Sequence, residues 1–191
     1  MARLSELLDE FFYRPDEDVS ALGALLADGD DVPVAVAEER AEEFLAFVLE
    51  GECYAVPIAR VREIVKVPPL TELPRASPQL LGVMNLRGEV MPVYDLKHRL
   101  QLVDAPVVRA GPEALPPPRS ARIVVVRDEH GGVEGSAGVW VDAIRDVVRL
   151  RPSTLEPPPP GLTPGERPVV AGLGRRGAEL FILLDLEQAL A

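Results

Sequence analysis

The chain has 191 residues, 47% of them apolar, a formal net charge of −11 and a single cysteine, Cys53. That suffices for one substantial domain or two small ones packed together. It excludes an intramolecular disulfide and a cysteine-based metal cluster, and no apolar run reaches the roughly 20 residues of a membrane-spanning helix.

Residues 1–43 hold 13 acidic and 3 basic side chains, a net of −10, whereas the other 148 residues hold 18 and 17, a net of −1. The acidity belongs to a leader, and the near-neutral body offers no basic stripe for nucleic acid or anionic lipid. The leader lacks the basic n-region, apolar h-region and cleavage site of a secretory signal, which favours the cytoplasm. Within it Leu4, Leu7, Leu8, Phe11 and Phe12 share one helical face. Arg14-Pro15 ends that helix, because a residue before proline is pushed out of the α region. The segment reads either as an acidic tail or as an amphipathic helix that docks on a partner or on the body.

The body begins at Phe44. Phe44–Leu49, the Glu50-Gly51 turn and Cys53–Val56 predict a hairpin closed by Pro57. Ile58, Val61 and Val65 are spaced for one or two helical turns, Val67–Leu73 is extended, and Ser77-Pro78 carries a helix-start signal. Leu81–Leu86, Arg87-Gly88 and Glu89–Leu96 predict a second hairpin, and Asp95–Leu100 can begin a short helix. Residues 101–120, with Pro106, Gly111, Pro112 and Pro116-Pro-Pro118, form a linker. Strands follow at Arg122–Arg127 and Ser136–Val141, around a polar turn over 128–135. Pro157–Pro160 suggests a polyproline II stretch. Val169–Leu173 and Glu179–Leu184 predict a last hairpin, and Asp185–Leu190 a closing helical turn.

Self-similarity is the most informative property of the chain. Ile58–Val67 lies 83 residues before Val141–Leu150, and seven of the ten positions keep residue type, among them Arg62/Arg145 and Glu63/Asp146. Glu89-Val90, Asp95-Leu96 and Leu100 recur 90 residues later as Glu179-Leu180, Asp185-Leu186 and Leu190, each block preceded by a glycine-bearing turn. Two blocks in the same order point to a duplicated unit of about five short strands, the size of a small barrel. The expected fold is mainly β: two related barrels, about 44–100 and 121–191, with a seam between them of the kind that commonly holds ligands, and with apolar faces and strand edges that can meet proteins.

Reactive constellations are scarce. His98, in the basic run Lys97-His-Arg99, and His130, in a polar turn, have no metal-pair spacing and read as solvated. Cys53 reads as a buried structural thiol. Gly172-Leu-Gly174-Arg-Arg-Gly177 fits a dinucleotide pattern, but strand-like residues follow it where that motif needs a helix, so its glycines are assigned to a hairpin turn. No catalytic residue, metal or cofactor is expected.

The block Leu81-Gly-Val-Met-Asn-Leu-Arg-Gly-Glu-Val-Met-Pro-Val-Tyr-Asp-Leu96 resembles the signature of CheW-like domains, found in the coupling proteins of bacterial chemosensory arrays and in the regulatory domains of their histidine kinases. Tyr54, Val61-Arg-Glu-Ile64 and the Leu73-Pro74 arm are similar to the family's first barrel, and Val139–Leu150 and Val170–Leu184 to its second. The resemblance covers the whole body from about Phe44 to Leu190. It implies two SH3-like five-stranded barrels related by a pseudo-two-fold. It also implies a non-catalytic adaptor at membrane-associated receptor arrays with two partners, the regulatory domain of a CheA-type histidine kinase and the cytoplasmic tip of a methyl-accepting chemoreceptor. By position, Val61, Glu63, Asn85 and Arg87 fall at these partner surfaces, and Glu63 and Arg87 can pair. Alternatively Arg87 only orders its hairpin and Glu63 sits on a solvated helix face. The leader, longer than the family's usual lead-in, leaves room for a further partner; on that second reading the body is an array anchor and the leader recruits.

Overall fold

The computed structural model describes residues 40–103, 116–128 and 135–191. The leader stripe from Leu4 to Phe12, His130 and most of the 101–120 linker therefore lie outside the described residues. Eleven strands are present among them. In chain order they are β1 (Glu42–Leu49), β2 (Glu52–Pro57), β3 (Val61–Lys66), β4 (Leu80–Leu86), β5 (Glu89–Tyr94), β6 (Arg122–Asp128), β7 (Gly135–Val141), β8 (Ala143–Leu150), β9 (Leu155–Glu156), β10 (Val170–Arg176) and β11 (Glu179–Leu184). One short helix, α1 (Leu186–Leu190), is capped by the Asp185 carboxylate, which accepts from the amides of Glu187 and Gln188.

The strands form two sheets, ordered β8-β1-β2-β11-β10-β9 and β3-β6-β7-β5-β4. The two orders are the same order. β8 repeats β3, the β1–β2 hairpin repeats β6–β7, and β10–β11 repeats β4–β5. Even the irregularities recur. The β3–β6 register shifts at Arg62 and the β8–β1 register at Arg145. The β4–β5 register shifts between Leu80 and Gly82, and the β10–β11 register between Val170 and Gly172. The parallel contact Val93↔Gly138 has its counterpart in Leu183↔Ala55.

This order corrects the expectation of one barrel over 44–100 and another over 121–191. Each sheet takes its hairpin from one repeat and its other strands from the other: β1–β2 completes the sheet of β8, β10 and β11, and β6–β7 completes that of β3, β4 and β5. The repeats are consecutive in sequence, but the barrels are not.

Burial explains why the exchange is stable. Both sheets curl around cores of their own. Phe44, Ala46, Val148, Leu150, Phe181 and Leu183 fill the six-stranded one, and Leu81, Met84, Met91, Ile123, Val125 and Trp140 the five-stranded one. The opposite faces meet in a third, larger cluster that includes Leu45, Phe47, Tyr54, Val124, Val139 and Leu190. Strands β1 and β6 are thus buried on both faces. That is why Phe44–Leu49 and Ile123–Val126 read as unbroken apolar runs instead of alternating ones. Burial of a side chain such as Leu45, 2% exposed, contributes about 1.5–3 kcal/mol.

Local expectations change in three places. Ile58–Val65 is not helical: a single 3₁₀ turn, Ile58–Arg60, leads into β3, where Val61, Glu63 and Val65 are half-buried and Arg62, Ile64 and Lys66 exposed. Positions 61 and 65 share a face at either period, and the β-branched content favours the strand. Ser77-Pro78 starts only a turn, closed by Leu80 N–H donating to the Ser77 carbonyl, because β4 begins at once. Asp95–Leu100 makes one helical turn, with Leu100 N–H donating to Leu96.

Lys97, in the basic run beside the exposed His98, is buried. Its ammonium lies 2.6 Å from Asp142 and 2.9 Å from Glu50, and Asp142 also accepts from the Glu50 amide. The triad ties the β1–β2 turn to the β7–β8 junction and to the end of β5. At the other end of the seam the matching position, Glu187, pairs with Arg60 in the open at 3.1 Å. The glycine-rich decoy is part of the β10–β11 hairpin. Gly177 supplies the positive φ of the turn, +61°, whereas a Cβ at Gly172 would stand 2.6 Å from the Glu156 carbonyl oxygen. That glycine is there for close approach of β9.

Candidate functional site

The four sequence candidates fall on β3 and on the β4–β5 hairpin. Leu86 and Glu89 face each other across a two-residue turn, Arg87-Gly88, with φ of +54° and +92°. Two positive φ values mark the primed turn that suits the twist of a hairpin. Gly88 provides one at no cost, and Arg87 provides the other under strain. Asn85 works within the turn: its side-chain oxygen accepts from the Gly88 amide at 2.9 Å. The strained turn holds the Arg87 side chain out, 79% exposed, where it meets Glu63 of β3 at 2.9 Å. The structure thus pairs Glu63 with Arg87, and Glu63 stands half-buried on a strand instead of on a helix face. Val61, at the start of the same strand, is half-buried against the core between the sheets.

Sequence reasoning missed the side chains that complete the surface. Arg62, thrown outward by the β3 bulge, reaches Glu89 at 3.3 Å and also the Ser136 hydroxyl of β7. Two exposed apolar residues lie on the same strands, Ile64 on β3 and Val90 on β5, the latter 65% exposed. Two exposed ion pairs, Glu63–Arg87 and Arg62–Glu89, thus join β3 to the β4–β5 hairpin, and Ile64 and Val90 are exposed on the same strands. The pairs themselves are exposed and contribute little to stability, about 0.2–1 kcal/mol each; they orient. The missed signal was in the repeat, which matches Arg62 with Arg145 and Glu89 with Glu179.

The second repeat keeps the Arg62–Glu89 pair as Arg145–Glu179 and reaches Asp146, the counterpart of Glu63, from a different position, Arg176 in place of a turn arginine. Arg145 meets Glu179 at 2.8 Å, and Arg176, stacked 5.6 Å over the Phe181 ring, meets Asp146 at 2.9 Å and Glu179 at 2.8 Å. The Arg176 hydrogen bond, and for Glu179 also that from Arg145, holds both carboxyls below their ordinary range. Val147, also exposed, repeats Ile64.

Other features carry no comparable chemistry. A cleft of about 650 Å³ opens between Arg40–Glu43, Pro57–Ala59 and Arg149, and no nucleophile–base pair lines it. Among the described residues no group of three or more His, Cys, Asp or Glu could hold a metal, and no helix is long and apolar enough to cross a membrane. His98 is exposed and Cys53 only partly buried.

Residues 43–191 match the CheW-like domain family. The chain is 27% identical over 187 residues to the chemotaxis protein CheW of Helicobacter pylori, covering 98% of each. It is 34% identical over 122 residues to the protein FrzA of Myxococcus xanthus, covering 63% of this chain and 66% of that one. Among solved structures, the scaffolding protein TtCheW from Thermoanaerobacter tengcongensis superposes with a TM-score of 0.65 at 28% identity, covering 79% of this chain and 88% of that one. The exchanged β architecture, the Asn85–Gly88 turn and these likenesses agree: the chain belongs to the CheW-like domain family.

Proposed function

We propose that this protein is an adaptor that couples a chemoreceptor to a CheA-type histidine kinase, acting by contact alone. The observation that carries this reading is the ion-paired apolar surface of β3 and the β4–β5 hairpin, on a chain whose whole body matches the family. One partner is the kinase's own CheW-like regulatory domain, met through the five-stranded barrel. The other is the helical tip of a receptor, met along the seam near Val61. Glu63 and Arg87 fix the charge register of the surface, and Asn85 acts indirectly by shaping the turn. The adaptor works at receptor arrays, and receptor state reaches the kinase through its shape.

Binding of the full chain to a cognate kinase regulatory domain and to a receptor fragment tests this. Arg87→Glu and Val61→Asp should each weaken binding to at least one partner tenfold or more while the melting temperature stays within a few degrees. Undiminished affinity for both partners in both variants would sink the assignment of the surface.

A further inference from the structure

The proline run after β9 has no part in the surface of β3 and the β4–β5 hairpin. Strand β9 stops at Glu156, because the next residue is a proline and cannot donate to the ladder. Pro157, Pro158, Pro159 and Pro160 follow one another. In each of the first three the ring fixes φ near about −65°, and the next ring holds ψ in the extended range. Those angles are polyproline II, and 157–159 pair with no strand. Such a helix repeats every 3 residues, at a rise of about 3.1 Å each. Positions 157 and 160 therefore share a face. Burial follows the same period: Pro157 and Pro160 are exposed, whereas Pro158 and Pro159 are half-buried.

Both ends of the run are tied down. Upstream, Leu155 and Glu156 pair with Gly174 and Leu173 of β10, and the Glu156 carboxylate lies 3.6 Å from Arg175. Downstream, the Pro160 carbonyl accepts from Arg167 at 3.1 Å, and Leu162 is buried in the cluster between the sheets. Buried Glu166 accepts from the amide and the hydroxyl of Thr163 at 2.9 and 2.8 Å. One proline is enough to end β9; four in a row also fix the path and the outward face of the chain. We propose that this run is a further docking surface, and that its occupant is a protein domain with a groove of aromatic rings, of the kind that receives two prolines three positions apart. The tied ends leave little conformational freedom to lose on binding. The groove has to come from another protein. Among the described residues Phe44, Phe47, Tyr54, Trp140 and Phe181 are buried and Tyr94 is half-buried, so no aromatic ring of the body is exposed.

A WW domain, whose aromatic groove takes polyproline II ligands, serves as the probe. The full chain is titrated into the isotope-labelled domain and followed by nuclear magnetic resonance. The expected result is saturable shifts confined to the groove, with a dissociation constant below about 1 mM. Replacing the outward pair, Pro157→Ala with Pro160→Ala, should weaken binding about tenfold or more. Both rings are exposed, so the melting temperature should stay within a few degrees. Replacing the inward pair, Pro158→Ala with Pro159→Ala, should weaken binding clearly less. The unaltered chain is decisive by itself: no groove shifts with the chain at about 1 mM would overturn the proposal. Equal losses from the outward and inward pairs would overturn it too, because the outward face would then have no special role.

Discussion

Lys97 carries its charge to a position 3% exposed. Burial alone pulls its pKa down, but the hydrogen bonds to Asp142 and Glu50 more than offset that, and the net shift is upward. Removing the ammonium leaves two carboxylates facing each other. Lys97→Met should therefore cost about 3–5 kcal/mol in urea unfolding, and adding Asp142→Asn should recover part of the loss; a change under 1 kcal/mol would show the triad to be incidental. The sign of the pH dependence follows. A group whose pKa is raised on folding stabilises below its unfolded value and loses that contribution as pH rises through the folded one. Tyr54, shifted up by burial and then by Glu52, to which its hydroxyl donates at 2.8 Å, has the same sign. Stability should fall above about pH 10, where both groups begin to titrate in the unfolded chain, and the fall should be shallower in Lys97→Met.

At the scale of elements, the hairpin turns and their flanking charges act as units. Glu63 sits on β3 and Arg87 in the β4–β5 turn, so a pairing role predicts coupling. Glu63→Arg and Arg87→Glu should each weaken partner binding, and the double reversal should restore a measurable share of it in a double-mutant cycle; strictly additive losses would mean that the residues act separately. The second repeat's network has the opposite pH sense from Lys97. Asp146 and Glu179 have lowered pKa values, so their contribution is present above about pH 4 and is lost as pH falls through the folded values. Arg176→Gln should flatten that acid limb of the stability profile. The short strand β9 depends on one glycine: Gly172→Ala would press a methyl group on the Glu156 carbonyl and should cost about 1–3 kcal/mol, read in urea unfolding.

For the whole molecule, the shared core predicts one cooperative unit. Trp140, the only tryptophan, lies inside the five-stranded barrel, and Leu45 belongs to the other sheet. Leu45→Ala should cost about 2–5 kcal/mol and shift Trp140 fluorescence and far-UV circular dichroism to the same new midpoint; separated midpoints would mean that the barrels unfold independently. Hairpin strands, the duplication and the Asn85–Gly88 turn were legible in the sequence, because alternation, spacing and turn chemistry are local. Strand β3 was not, since Val61 and Val65 fit either period. The exchange of hairpins was not, since two homologous hairpins are equally compatible with either sheet and only the assembled core distinguishes them. The burial of Lys97 was hidden for the same reason, its partners lying 47 and 45 residues away.

A repeat that lends its hairpin and borrows another cannot close on itself. A solitary unit of this kind would be complete only when set against an identical twin, and in such a twin both ends of the seam would carry the same residues. Here they differ: lysine at 97 and glutamate at 187, one locked in a buried triad and one in an exposed pair. That division of labour is open only to halves written into a single polypeptide, where each can change without changing the other.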